Sequence, residues 1–219
     1  MSSARPRIAV VDYEMGNRRS VEKALEHVGA RAIITRDERE LGQADALVLP
    51  GVGAFPRGMH NLRHFCLDTA LRERVSAGTP LLGICLGMQL LFDRSTELEE
   101  STAGLGLIEG EVLPIQAGGL RVPHIGWNEV RFEQASPLTT DLPAGGAPFY
   151  HVHSFAAHPR HTQDIVGTTE YGERFATIVV RGGVYGTQFH PEKSSRDGLA
   201  LLASFVRLVR EADHATVYA

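Results

Sequence analysis

The N-terminal half of the chain alternates short apolar runs with segments of helical periodicity, and this alternation strongly limits the possible folds. The apolar runs are rich in β-branched residues and predict buried strands at 7–13, 31–35, 44–49 and 80–85. Helical patterns lie around Val21 to Val28, at 68–77 and from 87 to 93. Strands that alternate with helices predict a doubly wound α/β fold, in which a mostly parallel sheet is flanked by helices.

The C-terminal half instead crowds strand-like segments together. They are predicted at 124–132, 149–155, 165–171 and 177–189, and Gly182-Gly183 within the last segment is typical of a hairpin turn. We therefore expect an additional antiparallel element in this half, followed by a final helix at 196–212. One domain is predicted at 7–212, with a flexible N-terminus at 1–6 and a flexible tail at 213–219.

The composition argues against several classes of protein. With 219 residues, 43% of them hydrophobic, the chain can bury a full core without disulfides or a structural metal. A formal net charge of -4 gives no reason to expect nucleic acid or a membrane surface as partner. The apolar runs are too short for a secretion signal or a membrane span. Only two cysteines, Cys66 and Cys85, are present, so we expect a reducing, cytoplasmic location.

The most informative segment surrounds Cys85, where a predicted strand runs into a predicted helix with almost no loop. Gly83 lies two residues before Cys85 and Gly87 two residues after it, which is the glycine–x–nucleophile–x–glycine pattern of a nucleophile elbow. A cysteine held at the start of a helix favours its thiolate, the reactive form. The alternative is a small apolar core residue, and that reading suits Cys66, which has no flanking glycines.

A thiol nucleophile needs a base, and the base needs a group that orients it. His190 and Glu192 follow an apolar strand and are two residues apart, so in an extended chain they project to the same side. Glu192 can then accept a hydrogen bond from the imidazole and stabilise its cation. The alternative is a solvated histidine and a surface glutamate at a strand end.

Two further features have competing interpretations. His151 and His153 could be two metal ligands on one strand face, but the sequence indicates no third or fourth ligand, so we expect neither a metal nor a cofactor. The glycine-rich turn from Pro50 to Gly53 follows the third predicted strand, where ligand sites gather in such sheets. It could present backbone N–H groups to an oxyanion, or it could be an ordinary tight turn. The third glycine of a dinucleotide fingerprint is missing.

Together, the segments GICLGMQ, PGVG and QFHPEKS resemble those of class I, triad-type glutamine amidotransferases, whose fold is flavodoxin-like. Four finer segments, DYEMGN, PGVGAF, PHIGWN and HVHSF, are similar to those of the glutaminase subunits of imidazole glycerol phosphate synthases, enzymes of histidine biosynthesis. The likeness covers nearly the whole chain. Glu14, His151 and Phe155 depart from the family pattern, which has a small residue, an aromatic residue and a tyrosine at these positions.

The resemblance implies a role for each residue of the motifs. Cys85 would attack the amide of glutamine and form a thioester, His190 would protonate the departing ammonia and then activate water, and Glu192 would orient His190. The backbone N–H groups of Val52 and Leu86 would bind the oxyanion. The glutamine pocket would be formed by Gly51, Gly53, Gln89, Ser154 and Phe155.

The resemblance also implies a partner, a cyclase subunit with a (β/α)8-barrel fold that forms a heterodimer with this chain and receives the ammonia. The expected interface residues are Asn17, Trp127, Asn128, Tyr150 and Lys193. Such subunits have little glutaminase activity alone, and rotation of a peptide in the PGVG turn could complete the oxyanion hole. Two alternatives are open: a glutaminase subunit of another pathway (anthranilate, aminodeoxychorismate or pyridoxal phosphate synthesis), or a binding subunit without catalysis.

Overall fold

A computed structural model of the chain describes residues 5–97 and 101–217, with side chains described as far as residue 212. Most of the predicted flexible N-terminus, residues 1–4, and the last two residues of the predicted tail lie outside the described residues. The final helix continues into the predicted tail, as far as Val217. The flexibility of both termini stays a prediction.

The N-terminal half alternates strands and helices, as predicted. Its elements are β1 (Arg7–Val11), α1 (Arg18–His27), β2 (Arg31–Thr35), α2 (Glu38–Gly42), β3 (Ala46–Gly51), α3 (Phe55–His64), α4 (Leu67–Ser76), β4 (Leu81–Cys85) and the short helix α5 (Leu86–Gln89). The four strands are parallel and lie in the order β2-β1-β3-β4. Their carboxyl ends therefore meet at one edge of the sheet.

The C-terminal half consists mainly of strands. Its elements are β5 (Phe92–Ser95), β6 (Thr102–Ala103), β7 (Ile108–Pro114), β8 (His124–Phe132), β9 (Gly146–His153), β10 (Phe155–Pro159), β11 (Ile165–Tyr171), β12 (Glu173–Arg181), β13 (Val184–Thr187) and α6 (Ser195–Val217). Strand β13 pairs parallel to β4, and β12 pairs antiparallel to β13. The predicted antiparallel element is thus joined to the parallel sheet through β13, and β8 and β9 form a further antiparallel pair.

Helices cover both faces of the parallel strands because alternate side chains of each strand are buried on opposite sides. In β1, Ala9 and Val11 belong to one core cluster, which includes side chains of α3 and α4 such as Met59 and Leu71. Ile8 and Val10 belong to the other cluster, with Leu25 of α1 and Phe205 of α6. A strand that is buried on both faces consists of a continuous run of apolar residues. For this reason the strands of the parallel sheet could be predicted from the sequence.

The helix predicted from 87 to 93 is wrong in its second half. Helix α5 ends at Gln89, and the chain is extended again from Phe92, where β5 pairs with β7. Phe92 is fully buried, so the packing of this segment, and not its helical propensity, decides its conformation. The strand predicted at 177–189 is divided into β12 and β13 at Gly182-Gly183, the predicted hairpin turn. Among the described residues, no helix is long and apolar enough to cross a membrane.

Candidate active site

Cys85 lies at a sharp turn between β4 and α5, with no connecting residue. Its backbone φ of 55° is in the region that favours glycine, and this strain is typical of a nucleophile elbow. Gly83 and Gly87 make the turn possible. A Cβ at Gly87 would clash with the carbonyl oxygen of Leu49, and a Cβ at Gly83 would lie 2.7 Å from the carbonyl oxygen of Gly87. The two glycines flanking the cysteine are therefore needed for close backbone packing.

The glycine-rich turn lies directly beside the nucleophile. Gly51, the last residue of β3, pairs in register with Cys85, the last residue of β4. A Cβ at Gly51 would overlap the hydroxyl of the fully buried Tyr13. The sheet register thus brings Val52 and Gly53, the next residues of the turn, to the carboxyl edge where Cys85 lies.

His190 and Glu192 form a buried pair, with side chains only 3% and 2% exposed. The Nδ1 atom of His190 lies 2.9 Å from Oε1 of Glu192. The local geometry differs from the extended chain that was predicted. Pro191–Lys193 forms one turn of 3-10 helix, and this turn brings the carboxylate of Glu192 to Nδ1 of His190. The predicted orienting pair is present, built by a turn.

Cys85 lies close enough to the imidazole of His190 to raise its pKa, which completes the constellation. Burial by itself lowers the pKa of His190, but the interactions with Cys85 and Glu192 outweigh it and raise the pKa to about 10. His190 is therefore protonated at neutral pH. A cation beside a cysteine favours the thiolate, so the arrangement prepares Cys85 for nucleophilic attack.

Two contacts to the sulfur were not foreseen from the sequence. The side-chain amide of Gln188 approaches Sγ of Cys85 at 3.8 Å, and the backbone carbonyl oxygen of Val152 lies 3.7 Å from Sγ. Gln188 is fully buried, and its Oε1 accepts a hydrogen bond from Gln89 at 3.0 Å. An apolar residue is expected at a fully buried position at the end of a core strand. The glutamine at position 188 was therefore a sign in the sequence that this residue belongs to the site.

A cavity of about 200 Å³ opens beside Cys85. Most of the residues predicted for the oxyanion and glutamine sites line it, namely Val52, Gly53, Leu86, Gln89, Ser154 and Phe155. Gly51 does not line it and is buried behind it, against Tyr13. Glu97 at its wall was not predicted, and this side chain accepts a hydrogen bond from the backbone N–H of Phe55 at 2.7 Å.

Another cavity, of about 380 Å³, lies around β10 and β12 and is lined by Glu133, Arg174 and His158 among others. It is the larger of the two, but no cysteine is found among its lining residues. The chemistry of nucleophile, base and orienting group therefore favours the smaller cavity as the candidate active site.

Two of the departures from the family pattern have a visible structural consequence. Glu14 has a φ of 64°, a conformation that favours glycine, and its carboxylate pairs with Arg36 at 3.0 Å. Phe155 acts through its backbone. Its carbonyl accepts hydrogen bonds from Nε2 of Gln89 at 3.0 Å and from Nδ1 of His153 at 2.9 Å, so the loss of a tyrosine hydroxyl leaves both contacts in place.

Two of the predicted interface residues touch each other. Trp127 and Tyr150 are opposite each other on β8 and β9 and make an edge-to-face contact at 6.2 Å. Asn17 is an exposed cap of α1, and Lys193 is exposed beside the triad. Asn128 is half-buried and donates to the carbonyl of Glu170 at 3.0 Å.

Burial also acts on three histidines behind the cavity. It lowers the pKa of His124 to about 4 and that of His153 to about 3, and it holds the pKa of His151 well below its ordinary value. All three rings are therefore neutral at physiological pH, in contrast to the protonated His190.

The family model for class-I glutamine amidotransferases matches residues 9–208 of this chain. The chain belongs to this family. The cysteine at the elbow and the buried His190–Glu192 pair agree with that membership. The chain is a glutamine amidotransferase, as the sequence predicted.

Curated members of the family match at high identity over nearly their full length. The chain is 50% identical to the imidazole glycerol phosphate synthase subunit HisH of Moorella thermoacetica, covering 95% of this chain and 98% of that protein. It is 43% identical to the subunit of the same name from Bacillus subtilis strain 168, covering 93% of this chain and 97% of that protein.

Solved structures of glutamine amidotransferases share the fold. The chain resembles PurLQS from Thermotoga maritima with a TM-score of 0.74 at 21% identity, covering 94% of this chain and 99% of that chain. It resembles another structure described as a glutamine amidotransferase with a TM-score of 0.68 at 24% identity, covering 92% and 98%. The predicted class I glutamine amidotransferase fold is thereby confirmed.

Proposed function

We propose that this chain is the glutaminase subunit of an imidazole glycerol phosphate synthase, which hydrolyses glutamine and passes the ammonia to a cyclase subunit in histidine biosynthesis. The observation that carries the proposal is the buried set of Cys85, His190 and Glu192 at a strand-to-helix elbow. That set occurs in a chain 43–50% identical to several HisH subunits.

The first half-reaction forms a thioester. The thiolate of Cys85 attacks the side-chain amide carbon of glutamine, a carbon–sulfur bond forms and the carbonyl electrons move to oxygen. When this oxyanion collapses, the carbon–nitrogen bond breaks and the leaving nitrogen takes a proton from His190. Ammonia departs and a glutamyl thioester remains on Cys85.

The second half-reaction returns the enzyme to its starting state. His190, now neutral, removes a proton from water as the water oxygen attacks the thioester carbon. The carbon–sulfur bond breaks, glutamate leaves, and Cys85 is again a thiolate beside a protonated His190. Glu192 holds the ring in position and stabilises its charge through both steps.

The oxyanion is assigned to the backbone N–H groups of Val52 and Leu86. Leu86 follows Cys85 directly, and Val52 follows the residue that pairs with Cys85 in the sheet. Both residues line the cavity. Removal of one such donor typically lowers the rate by about 10²–10³-fold, so a turn that is incorrectly oriented would leave the subunit nearly inactive.

The glutamine side of the cavity is assigned to Gly53, Gln89, Ser154 and Phe155, with Gly51 supporting the turn from behind. The amide nitrogen of Gln89 donates to Phe155 and to Gln188, which orients its carbonyl oxygen as an acceptor for the amino group of the substrate. The carboxylate of glutamine would be bound by backbone N–H groups of the turn and of the segment at Ser154.

The partner is assigned to the surface around Trp127, as a (β/α)8-barrel cyclase that forms a heterodimer with this chain. Trp127 is 54% exposed, and Ile125, two residues before it on β8, is exposed as well. The other exposed large apolar side chains are those of Val52, Leu120 and Val122. Exposed apolar surface of this kind is typical of a protein interface. The proposed interface also includes Asn17, Asn128, Tyr150 and Lys193. The cytoplasmic location of the protein stays a prediction.

The experiment measures glutamate release from glutamine by the purified chain, alone and with a purified cyclase subunit and its ribotide substrate. Strong stimulation by the cyclase and its ligand is expected, because the partner would orient the glycine-rich turn. Full turnover by the chain alone would contradict the dependence on a partner. Absence of glutamate release in both conditions would contradict the proposed function.

A further inference from the structure

Three buried histidines meet behind the glutamine cavity. His151 and His153 are two residues apart on β9 and point to the same face, and His124 is the residue paired with His153 across the ladder on β8. All three are buried, at 0%, 6% and 3% exposure for His151, His153 and His124. One ring nitrogen from each lies within 4.8 Å of the other two. The pleat of the two strands therefore gathers three imidazoles around one point.

The hydrogen bonds determine which nitrogens hold protons. Nδ1 of His153 must donate to the carbonyl of Phe155 at 2.9 Å, so its Nε2 presents a lone pair. Nδ1 of His124 lies 3.2 Å from that lone pair and Nδ1 of His151 lies 3.3 Å from it. Nε2 of His151 has no hydrogen-bond partner among the described residues, although it is buried. Nδ1 is therefore the nitrogen that His151 directs to the other two rings, and its Nε2 is a further buried polar atom without a partner among the described residues.

We propose that His124, His151 and His153 form a binding site for a divalent transition-metal ion of the Zn²⁺ type. In a tetrahedral site with zinc–nitrogen bonds of about 2.0–2.1 Å, neighbouring ligand nitrogens are about 3.3 Å apart. Two of the three nitrogen pairs here are already at 3.2 Å and 3.3 Å. Only the contact between His124 and His151 has to shorten.

The surroundings of the rings resemble those of metal ligands. The second nitrogen of His153 donates to a backbone carbonyl, a common arrangement that fixes the ring of a ligating histidine. Metal binding through Nδ1 of His124 transfers its proton to Nε2, which faces the side-chain amide of Asn128 at 3.2 Å. Rotation of that amide presents its oxygen as the acceptor, and the amide then gives up its hydrogen bonds with the carbonyl of Glu170 and the N–H of Glu129. Nδ1 of His151 must likewise give up its proton, which moves to Nε2 of the same ring. The rings then stay neutral overall, so ion binding needs no net release of protons.

The site adjoins the active site without using its catalytic groups. His153 lines the glutamine cavity, and the carbonyl oxygen of Val152, between the two histidines of β9, lies 3.7 Å from Sγ of Cys85. Three histidine ligands leave the fourth tetrahedral position for water, which the cavity can supply. A bound ion would therefore hold the end of β9 in place next to the substrate pocket.

The test uses the full chain with both thiols removed, as Cys66→Ser/Cys85→Ala, so that neither cysteine can bind the ion. Cobalt(II) is titrated as a spectroscopic substitute for Zn²⁺, followed by competition with Zn²⁺. We expect one ion per chain with the intense visible absorption of tetrahedral cobalt, and an increase in Tm with Zn²⁺. His151→Phe in this background should weaken binding at least about tenfold.

His60→Phe is the matched control, since His60 is exposed on α3, and it should leave binding unchanged. If His151→Phe does not fold, imidazole nitrogen NMR of the parent gives the answer, because Zn²⁺ should shift the signals of these three rings and move the His124 proton to Nε2. Absence of a tetrahedral spectrum, equal affinity in His151→Phe, or unshifted signals from these rings would overturn the proposal.

Discussion

The backbone N–H of His190 donates a hydrogen bond to the backbone carbonyl of Tyr150 at 3.0 Å. A second connection runs through Ser194, whose hydroxyl accepts from the N–H of Tyr150 at 3.0 Å and donates to the carbonyl of His190 at 2.7 Å. His190, the proposed catalytic base, is therefore attached to β9 at the position where Tyr150 contacts the exposed Trp127. A partner that binds this surface touches the strand that positions the base.

Ser194→Ala removes both hydrogen bonds of that connection. Ser194 is 1% exposed, and the change leaves the N–H of Tyr150 without its partner, so we expect a loss of about 1–3 kcal/mol in the free energy of unfolding. Because His190 is less well positioned, kcat for glutamine hydrolysis should fall more than KM changes. Ser76→Ala, on the exposed surface of α4, is the control and should change neither quantity. A fall in stability with kcat unchanged would contradict the positioning role.

The protonation of His190 is a direct prediction of the site geometry. Interactions with Cys85 and Glu192 raise its pKa to about 10 against the effect of burial, so imidazole NMR should show titration near pH 10. Cys85→Ala and Glu192→Gln each remove one cause and should lower this pKa. The unfolded pKa is near 6.5, so the charged ring stabilises the fold fully below that pH, and the contribution is lost as pH rises towards 10. Titration near 6.5 in the unsubstituted protein would contradict this account.

Gly87→Ala tests the packing of the elbow. The added Cβ would clash with the carbonyl oxygen of Leu49, a backbone atom of β3 that cannot move without disturbing the sheet. We expect a loss of about 3 kcal/mol or more in the free energy of unfolding, measured by chemical denaturation. Gly42→Ala, where no atom lies within 4 Å, is the matched control and should be neutral or stabilising by up to about 1 kcal/mol. Equal stability of the two variants would exclude tight packing at Gly87.

Trp127→Ala tests the proposed partner surface. A large aromatic side chain that is 54% exposed beside Tyr150 is typical of an interface anchor, so its truncation should weaken binding of the cyclase subunit roughly thirtyfold, or about 2 kcal/mol. Glu73→Ala is the control, since Glu73 is exposed on α4, the helix that leads to the amino end of β4. The affinity of each variant for the cyclase subunit is measured by calorimetry. Equal affinities of the two variants would show that the interface lies elsewhere.

Much of the fold was predictable because buried strands have a strong local signal. The predicted strands at 31–35, 124–132 and 165–171 have the observed bounds, as β2, β8 and β11. The elbow at Cys85 was predictable because its glycine pattern is local in the sequence, although the contact that requires Gly87 is with Leu49 of the neighbouring strand β3. The pattern of strands and helices also indicated the α/β fold and the antiparallel element, and the family resemblance added the roles of the site residues and the partner.

The features that were missed depend on contacts between distant segments. Helical periodicity continues past Gln89, but pairing of β5 with β7 makes the chain extended from Phe92. The histidine cluster was missed because His124 meets His153 only through the register of β8 and β9, and a sequence does not state the register of two strands 29 residues apart. The same reason hid Gln188, whose contact with Cys85 spans 103 residues.

The most direct test of the central claim compares two nitrogen sources in the assembled complex with the cyclase. Cys85→Ala should abolish formation of the cyclase product from glutamine, a fall of several orders of magnitude. With ammonium salt in place of glutamine, the same complex should form product at the unsubstituted rate, since the cyclase does not need the thiol when ammonia is supplied. Product formation from glutamine that persists in Cys85→Ala would contradict the account of Cys85 as the nucleophile.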